Sequence, residues 1–116
     1  MNIVIAGSRD WPASEDYRIV RYVEEYVSPS TDVVLSGTAR GPDTIAAKAA
    51  RSNNVRVMEF RADWEHLGRS AGYVRNEAMV SAADKVVAFW DGESRGTKHS
   101  IDLALKKRKD LVVFFP

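Results

Sequence analysis

The amino-acid sequence predicts an α/β fold with a parallel sheet, on three observations. Five short runs rich in β-branched and aromatic residues recur along the 116 residues. Each of the first four is followed by a stretch whose apolar residues fall at helical spacing, and glycine-, serine- or aspartate-bearing turns separate them. Five strands alternating with four helices call for right-handed crossovers and a sheet covered on both faces.

The first strand, Asn2-Ile3-Val4-Ile5-Ala6, stops at the polar loop Gly7-Ser8-Arg9-Asp10, and Trp11-Pro12 keeps that loop non-helical. A helix is expected from Ser14 as N-cap, with Glu15 and Asp16 in the first turn where the dipole favours acid. Ile19, Val20, Val23 and Val27 share its inner face, and Pro29 closes it. The second strand runs from Asp32 to Ser36. After Gly41-Pro42 comes a helix carrying Ile45, Ala46, Ala49 and Ala50, small enough for close packing on a sheet, with Asn53-Asn54 as its stop. Val55 to Phe60 alternates more than its neighbours, which suits an edge strand or a less covered face.

Arg61 to Arg69 is the longest stretch without a clear period, and loops of that length are often functional. The next helix places Ala71, Val74, Ala78, Met79 and Ala82 inward. Lys85 to Trp90 is the fourth strand, Asp91 to Gly96 a loop, Thr97 to Lys109 a helix with Ile101, Ala104 and Leu105 inward, and Leu111 to Phe115 the last strand. The expectation is a Rossmann-like three-layer sandwich, a single domain over residues 1–116, with no internal repeat or linker. In the strand order 3-2-1-4-5 the winding reverses between strands one and four, and ligands of open α/β sheets bind in the crevice at that switch point.

Composition narrows the partners. Seventeen basic against sixteen acidic side chains give a formal net charge of +1, so no global field recruits nucleic acid or an anionic membrane. The absence of cysteine removes disulfides, thiolate nucleophiles and cysteine metal sites, which fits a reducing compartment. Met1-Asn2 leads straight into a strand without an export signal, and no apolar run approaches the ~20 residues of a membrane span. A soluble cytoplasmic protein is expected.

The stretch Val33 to Asp43 has the grammar of an anion site: a strand, a turn with Gly37 and Gly41, then Pro42 at the first helical position and Arg40 beside it. An ordinary strand-to-helix connection is the plainer alternative. Three loops on the same sheet edge nevertheless each pair glycine with arginine: Gly7 with Arg9, Gly37 and Gly41 with Arg40, and Gly92 and Gly96 with Arg95. Such a rim offers guanidinium forks and helix-start donors, each helix start contributing roughly 0.3–1 kcal/mol to holding an anion.

Gly7-Ser8-Arg9, Ser36 to Asp43, Ala62-Asp63-Trp64, Gly68 to Met79, and Phe89-Trp90 with Ser94 to Thr97 together resemble the small stand-alone YspA/YpsA-like members of the SLOG superfamily, named for the DNA-processing protein DprA (Smf) and for Lonely Guy. The resemblance runs nearly end to end. It implies a Rossmann-like domain that binds nucleotides or nucleotide-derived ligands, some branches acting as sensors and others as N-glycosidic hydrolases. It places Gly7, Ser8 and Arg9 at the ligand's edge and Ser36, Gly37, Arg40 and Gly41 around it. Arg75 and Asn76 reach in from the third helix, and Ser94, Gly96 and Thr97, next to Arg95, take a phosphate. Lonely Guy enzymes carry a catalytic glutamate where this chain has Ser100, and a serine cannot supply a carboxylate's charge or basicity. Thr38 stands where relatives often have glycine, narrowing the approach to the ligand.

Asp63 and Trp64 read either as a base-stacking wall with a ribose-orienting acid or as a lid on the sheet. Asp43 and Glu77 are the carboxylates expected to face the crevice, although Asp43 at a second helical position also suits helix capping. His66 and His99 have no metal-ligand spacing, so no metal is expected, and no cofactor either. Lys106 to Lys109 reads as a solvated helix end. No Gly-x4-Gly-Lys-Ser/Thr or Gly-x-Gly-x-x-Gly motif occurs, which argues against ATPase and dinucleotide dehydrogenase chemistry.

The expected function is binding of a nucleoside phosphate or ADP-ribose-like ligand, as sensor or sequestering protein. N-glycosidic cleavage using Asp43 or Glu77 is the enzymatic alternative, with no catalytic residue assigned. Single-stranded DNA binding, as in DprA, is disfavoured by the net charge. Pairing into a homodimer would use the exposed faces of the first and third helices.

Overall fold

The computed structural model describes residues 1–116. Its elements are β1 (Asn2–Gly7), α1 (Asp16–Tyr26), β2 (Val33–Ser36), α2 (Pro42–Ser52), β3 (Arg56–Glu59), α3 (Trp64–Leu67), α4 (Ala71–Ala82), β4 (Lys85–Phe89), α5 (Arg95–Lys106) and β5 (Asp110–Phe114), with 3₁₀ turns at Ala13–Glu15 and Gly68–Ser70. All strand pairs are parallel in the order β3-β2-β1-β4-β5, as the alternation of elements predicts. Ile3 pairs with Val34 on one side of β1 and with Lys85 on the other, which makes β1 the middle strand.

Successive side chains of a strand point to opposite faces, so a strand covered on both sides must be apolar throughout. In β1, Ile3 and Ile5 join Ile19, Val23, Ala46, Ala50 and Phe89 under α1 and α2. Val4 and Ala6 join Leu35, Met79, Val80, Val86, Leu103 and Ala104 under α4 and α5. Trp11, folded in from the loop after β1, meets Phe89 edge-on at 5.3 Å, and Phe89 stacks on Phe114 at 5.1 Å. β3 lies at the sheet edge with Arg56, Met58 and Glu59 exposed, in agreement with its alternating sequence.

Four local expectations are corrected. Ser14 does not cap α1: it lies within a 3₁₀ turn closed by Glu15 N–H donating to the Pro12 carbonyl at 2.9 Å, and α1 starts at Asp16. Arg61 to Arg69 is irregular only over residues 61–63 and helical after them. The Asp63 carboxylate accepts the His66 N–H at 3.2 Å and starts the one-turn α3, too short to display a period. In α4, Ala71 and Met79 are buried as expected, but Val74, 50% exposed, and Ala78 and Ala82 face solvent, and Asn76 and Val80 are buried instead. The polar Asn76 turns inward because its amide donates to the Gly96 carbonyl of α5 at 3.4 Å. In α5 the buried residues are Thr97, Ser100, Ile101, Leu103 and Ala104, so the inward stripe extends to the Leu103 side of Ala104 and leaves Leu105, on the other side, 63% exposed.

Gly7 joins the core to the C-terminal edge of the sheet. A Cβ there would stand 2.5 Å from Pro42 Cγ and 2.6 Å from the Phe89 carbonyl oxygen, so its lack of a side chain is what lets α2 start against β1 and β4. Gly7→Ala is expected to destabilise the fold by about 1–3 kcal/mol, because the opposing group on one side is backbone and cannot rotate away. Denaturant unfolding of the variant measures it.

Candidate functional site

The site forms where β1 and β4 end and the chain leaves them in opposite directions. Between their loops and the starts of α4 and α5 lies a cavity of about 480 Å³. It brings together Gly7, Arg9, Asp43, Trp64, Arg75, Asn76, Ser94, Gly96 and Thr97 among the residues expected from sequence. A second hollow of about 440 Å³, past the end of β2, gathers Gly37, Thr38 and Arg40, and shares Arg9, Trp64 and Arg75 with the first.

The centre of the site is Asp43, 4% exposed on the first turn of α2. Its Oδ1 accepts the Gly7 N–H at 3.2 Å, tying the end of β1 to α2. Arg75, reaching across from α4, donates from Nη1 to the Gly37 carbonyl and from Nε to Asn76 Oδ1 at 2.9 Å. A Cβ on Gly37 would lie 2.8 Å from Asp43 Oδ2 and 3.1 Å from Arg75 Nη1, so both charged groups close over the bare backbone at this point. Burial pushes the Asp43 carboxyl up to about 6, the nearby Arg75 charge offsetting only part of that cost. Burial also lowers the affinity of Arg75 for its proton; Asp43 opposes the shift and the like charge of Arg9 adds to it.

Two serines expected at the ligand's edge serve instead as fastenings. Ser8 is fully buried, accepts the Asp91 N–H on Oγ at 3.1 Å and lies 3.4 Å from Thr97 Oγ1, joining the loops after β1 and β4 to the start of α5. Ser36 Oγ accepts the Thr38 N–H at 3.2 Å and donates to the Asp43 carbonyl at 3.5 Å. Gly41 is the N-cap of α2 at φ 86°, a conformation that strains any residue with a Cβ. The Asp63 carboxylate caps α3 and lies 3.0 Å from His66 Nδ1. Ser8, Ser36, Gly41, Asp63 and Arg95 line neither hollow.

Sequence reasoning missed Asp10, Arg69, Asp91 and Glu93 in the larger cavity and Arg61 in the second. The turn after β4 carried a usable signal, since Asp in an Asp-Gly-x-Ser turn commonly folds back on the following N–H groups. Here Asp91 Oδ1 accepts from Ser94 N–H and Glu93 N–H at 2.8 Å each, bonds that hold its carboxyl below the usual range. Glu77, expected in the crevice, is instead on the surface, paired with Lys107 Nζ at 2.7 Å. Ser100 lines the cavity, buried, with Oγ donating to the Gly96 carbonyl at 3.5 Å.

Charge is distributed unevenly. The larger cavity sets Asp10, Asp43, Asp91 and Glu93 against Arg9, Arg69 and Arg75, whereas the second hollow carries Arg9, Arg40, Arg61 and Arg75 and no carboxylate. No cluster of three or more His, Asp or Glu side chains could hold a metal ion, and no helix is long and apolar enough to cross a membrane.

Residues 1–66 match the family model described as the YspA, cpYpsA-related SLOG family. The Gene 61 protein of Mycobacterium phage D29 is 40% identical over 110 residues, covering 90% of this chain and 88% of that protein. Among solved structures, DNA processing protein A (DprA) from Streptococcus pneumoniae matches 97% of this chain with a TM-score of 0.79 at 15% identity. The chain spans 49% of that protein's length. The molybdenum cofactor carrier protein from Chlamydomonas reinhardtii matches 97% of this chain and 74% of its own, with a TM-score of 0.71 at 18% identity. These two likenesses are likenesses of fold.

Thr38 occupies the left-handed region at φ 63°, unfavourable for a β-branched residue. Thr38→Gly is expected to stabilise the protein by about 0.5–1 kcal/mol, net of glycine's larger unfolded-state entropy, in chemical denaturation. Asp43 gives a pH signature. Its folded pKa of about 6 lies above the ordinary aspartate value of 3.8, so between these values the folded state binds more protons than the unfolded state and stability falls as pH rises. Asp43→Asn keeps an oxygen for the Gly7 N–H but has no charge to bury. Its stability relative to the parent is expected to rise by about 3 kcal/mol from about pH 4 to pH 7, where parallel curves would contradict the assignment.

Proposed function

The chain belongs to the YspA, cpYpsA-related SLOG family, and we propose that it binds a nucleotide or nucleotide-derived ligand in the cleft where β1 and β4 end, as a sensor or sequestering protein. The observation that carries this reading is the cavity of about 480 Å³ at the switch point, within the size range of small-ligand sites, into which Arg9, Arg69, Arg75 and Asn76 converge. Guanidinium groups match phosphate oxygens in pairs, and a side-chain amide offers both donor and acceptor to a base edge or a ribose. Trp64, 55% exposed, supplies a flat apolar wall for a base.

Asp43 favours a second reading. A carboxyl titrating near 6 in the wall of a cavity has the proton affinity of a general acid or base, and N-glycosidic cleavage needs one. Glu77, on the surface, is no longer a candidate. Free base released from nucleoside monophosphates, detected by chromatography and abolished in Asp43→Asn, would establish the activity; no release at high protein concentration retires it.

Arg9 is exposed and makes no ion pair or hydrogen bond within the protein, so its removal leaves the fold intact. Calorimetry against nucleoside monophosphates, ADP-ribose and cyclic nucleotides is expected to show binding to at least one of them, weakened by about tenfold or more in Arg9→Ala. No heat from the whole panel, or equal affinity in the variant, contradicts the reading.

A further inference from the structure

The hollow past β2 differs from the larger cavity in its charge. Arg9, Arg40, Arg61 and Arg75 all line it, and no acidic side chain does. Arg9 and Arg40 have no ion pair anywhere in the protein. Arg61 meets Glu59 at 3.2 Å but is 76% exposed, and Glu59 keeps a second partner in Arg51 at 3.8 Å. Arg75 spends two donors on Gly37 and Asn76 and shares the space over Gly37 with Asp43. Four like charges around one hollow repel each other, and an anion that enters converts the repulsion into charge-assisted hydrogen bonds. At about 440 Å³ the hollow has room for a chain of phosphates.

The start of α5 has the opposite character. Asp91 and Glu93 stand at its edge, and the Ser94 hydroxyl is already engaged, accepting the Thr97 N–H at 3.5 Å and lying 3.3 Å from Thr97 Oγ1. A phosphate arriving there meets carboxylates and a helix end that caps itself. A ribose meets good acceptors for its hydroxyls. Arg9, Arg75 and Trp64 line both hollows, so a single ligand can lie across them.

Resting on the nucleotide-binding reading above, we infer that the ligand lies with its nucleoside in the larger cavity and a chain of two or more phosphates in the arginine-lined hollow past β2, rather than with phosphate at the start of α5. The ligand class is thereby narrowed to nucleoside di- or polyphosphates and dinucleotides joined through a pyrophosphate. Arg40 and Arg61 are the residues specific to that end.

Calorimetry of the full chain and of the Arg40→Ala/Arg61→Ala and Ser94→Ala variants tests this, with the four common nucleosides, their 5′-mono- and diphosphates, inorganic pyrophosphate and a short oligothymidylate as probes. Both arginines are exposed, and unchanged thermal melting verifies that the double variant is folded. Diphosphates are expected to bind about tenfold or more tighter than monophosphates, with that increment lost in the double variant and kept in Ser94→Ala. Mono- and diphosphates that bind equally, with the double variant unchanged, overturn the orientation while leaving nucleotide binding standing. Loss of the increment in Ser94→Ala does the same. Pyrophosphate that binds in an arginine-dependent way when no nucleotide does supports the anion hollow and overturns the nucleotide reading. Tighter binding of the oligothymidylate than of every small probe overturns the small-ligand assignment in favour of a single strand, and absence of heat from all probes overturns the inference outright.

Discussion

One buried carboxylate holds the C-terminal edge of the sheet together. Asp43 accepts the Gly7 N–H at the end of the middle strand and faces Arg75 across the bare backbone of Gly37. Three chain segments therefore share a single charged junction: the end of β1, the turn after β2 and the inner face of α4. Keeping a carboxylate that far from water is costly, which is why its pKa stands at about 6. The benefit is positional, because Arg75 and Asn76 are presented at a fixed place in the cleft.

A second junction works with neutral groups. Ser8 takes the Asp91 N–H and approaches Thr97, so the loop after β1, the turn after β4 and the start of α5 move together. Between the two junctions the cavity walls are set by hydrogen bonds that need no ligand. The residues left without partners, Arg9 and Arg40 foremost, are the ones free to meet one. Their sign and their grouping on one side of the cleft give it a direction: acid-rich beside α5, arginine-rich past β2. A cleft with that polarity selects the orientation of any ligand carrying charge at one end only.

The absence of a carboxylate at Ser100 takes on a physical form in the structure. Ser100 is buried in the cavity wall with its hydroxyl turned to the Gly96 carbonyl, a local bond within α5 that leaves no base at this position. Of the carboxyls that line this cleft, Asp43 is the one whose proton affinity is raised, so proton transfer through it would draw structure and chemistry on the same group. Binding makes no such demand on Asp43, and this difference is why ligand binding is the primary reading.

The sequence by itself determined the architecture. Alternation of apolar strands with amphipathic helices and turn-forming glycines is local information, and it gave five parallel strands, their order, the edge position of β3 and the meeting of the loops after β1 and β4. The glycine–arginine loops added Arg9, and the family resemblance added Arg75, Asn76 and Thr97, as candidate site residues; all four line the larger cavity. What only the tertiary structure decided was the facing of individual side chains. Ser8 and Ser36 became fastenings, Glu77 went to Lys107, Asn76 displaced Val74 from the inner face of α4, and Arg61 joined Arg40 around a hollow. Each of these depends on a partner from a distant part of the chain, and a polar group is free to turn toward solvent or inward until packing settles which partner it meets. Periodicity records the average water exposure of a position, and it carries no record of which hydrogen bond a buried polar atom will find.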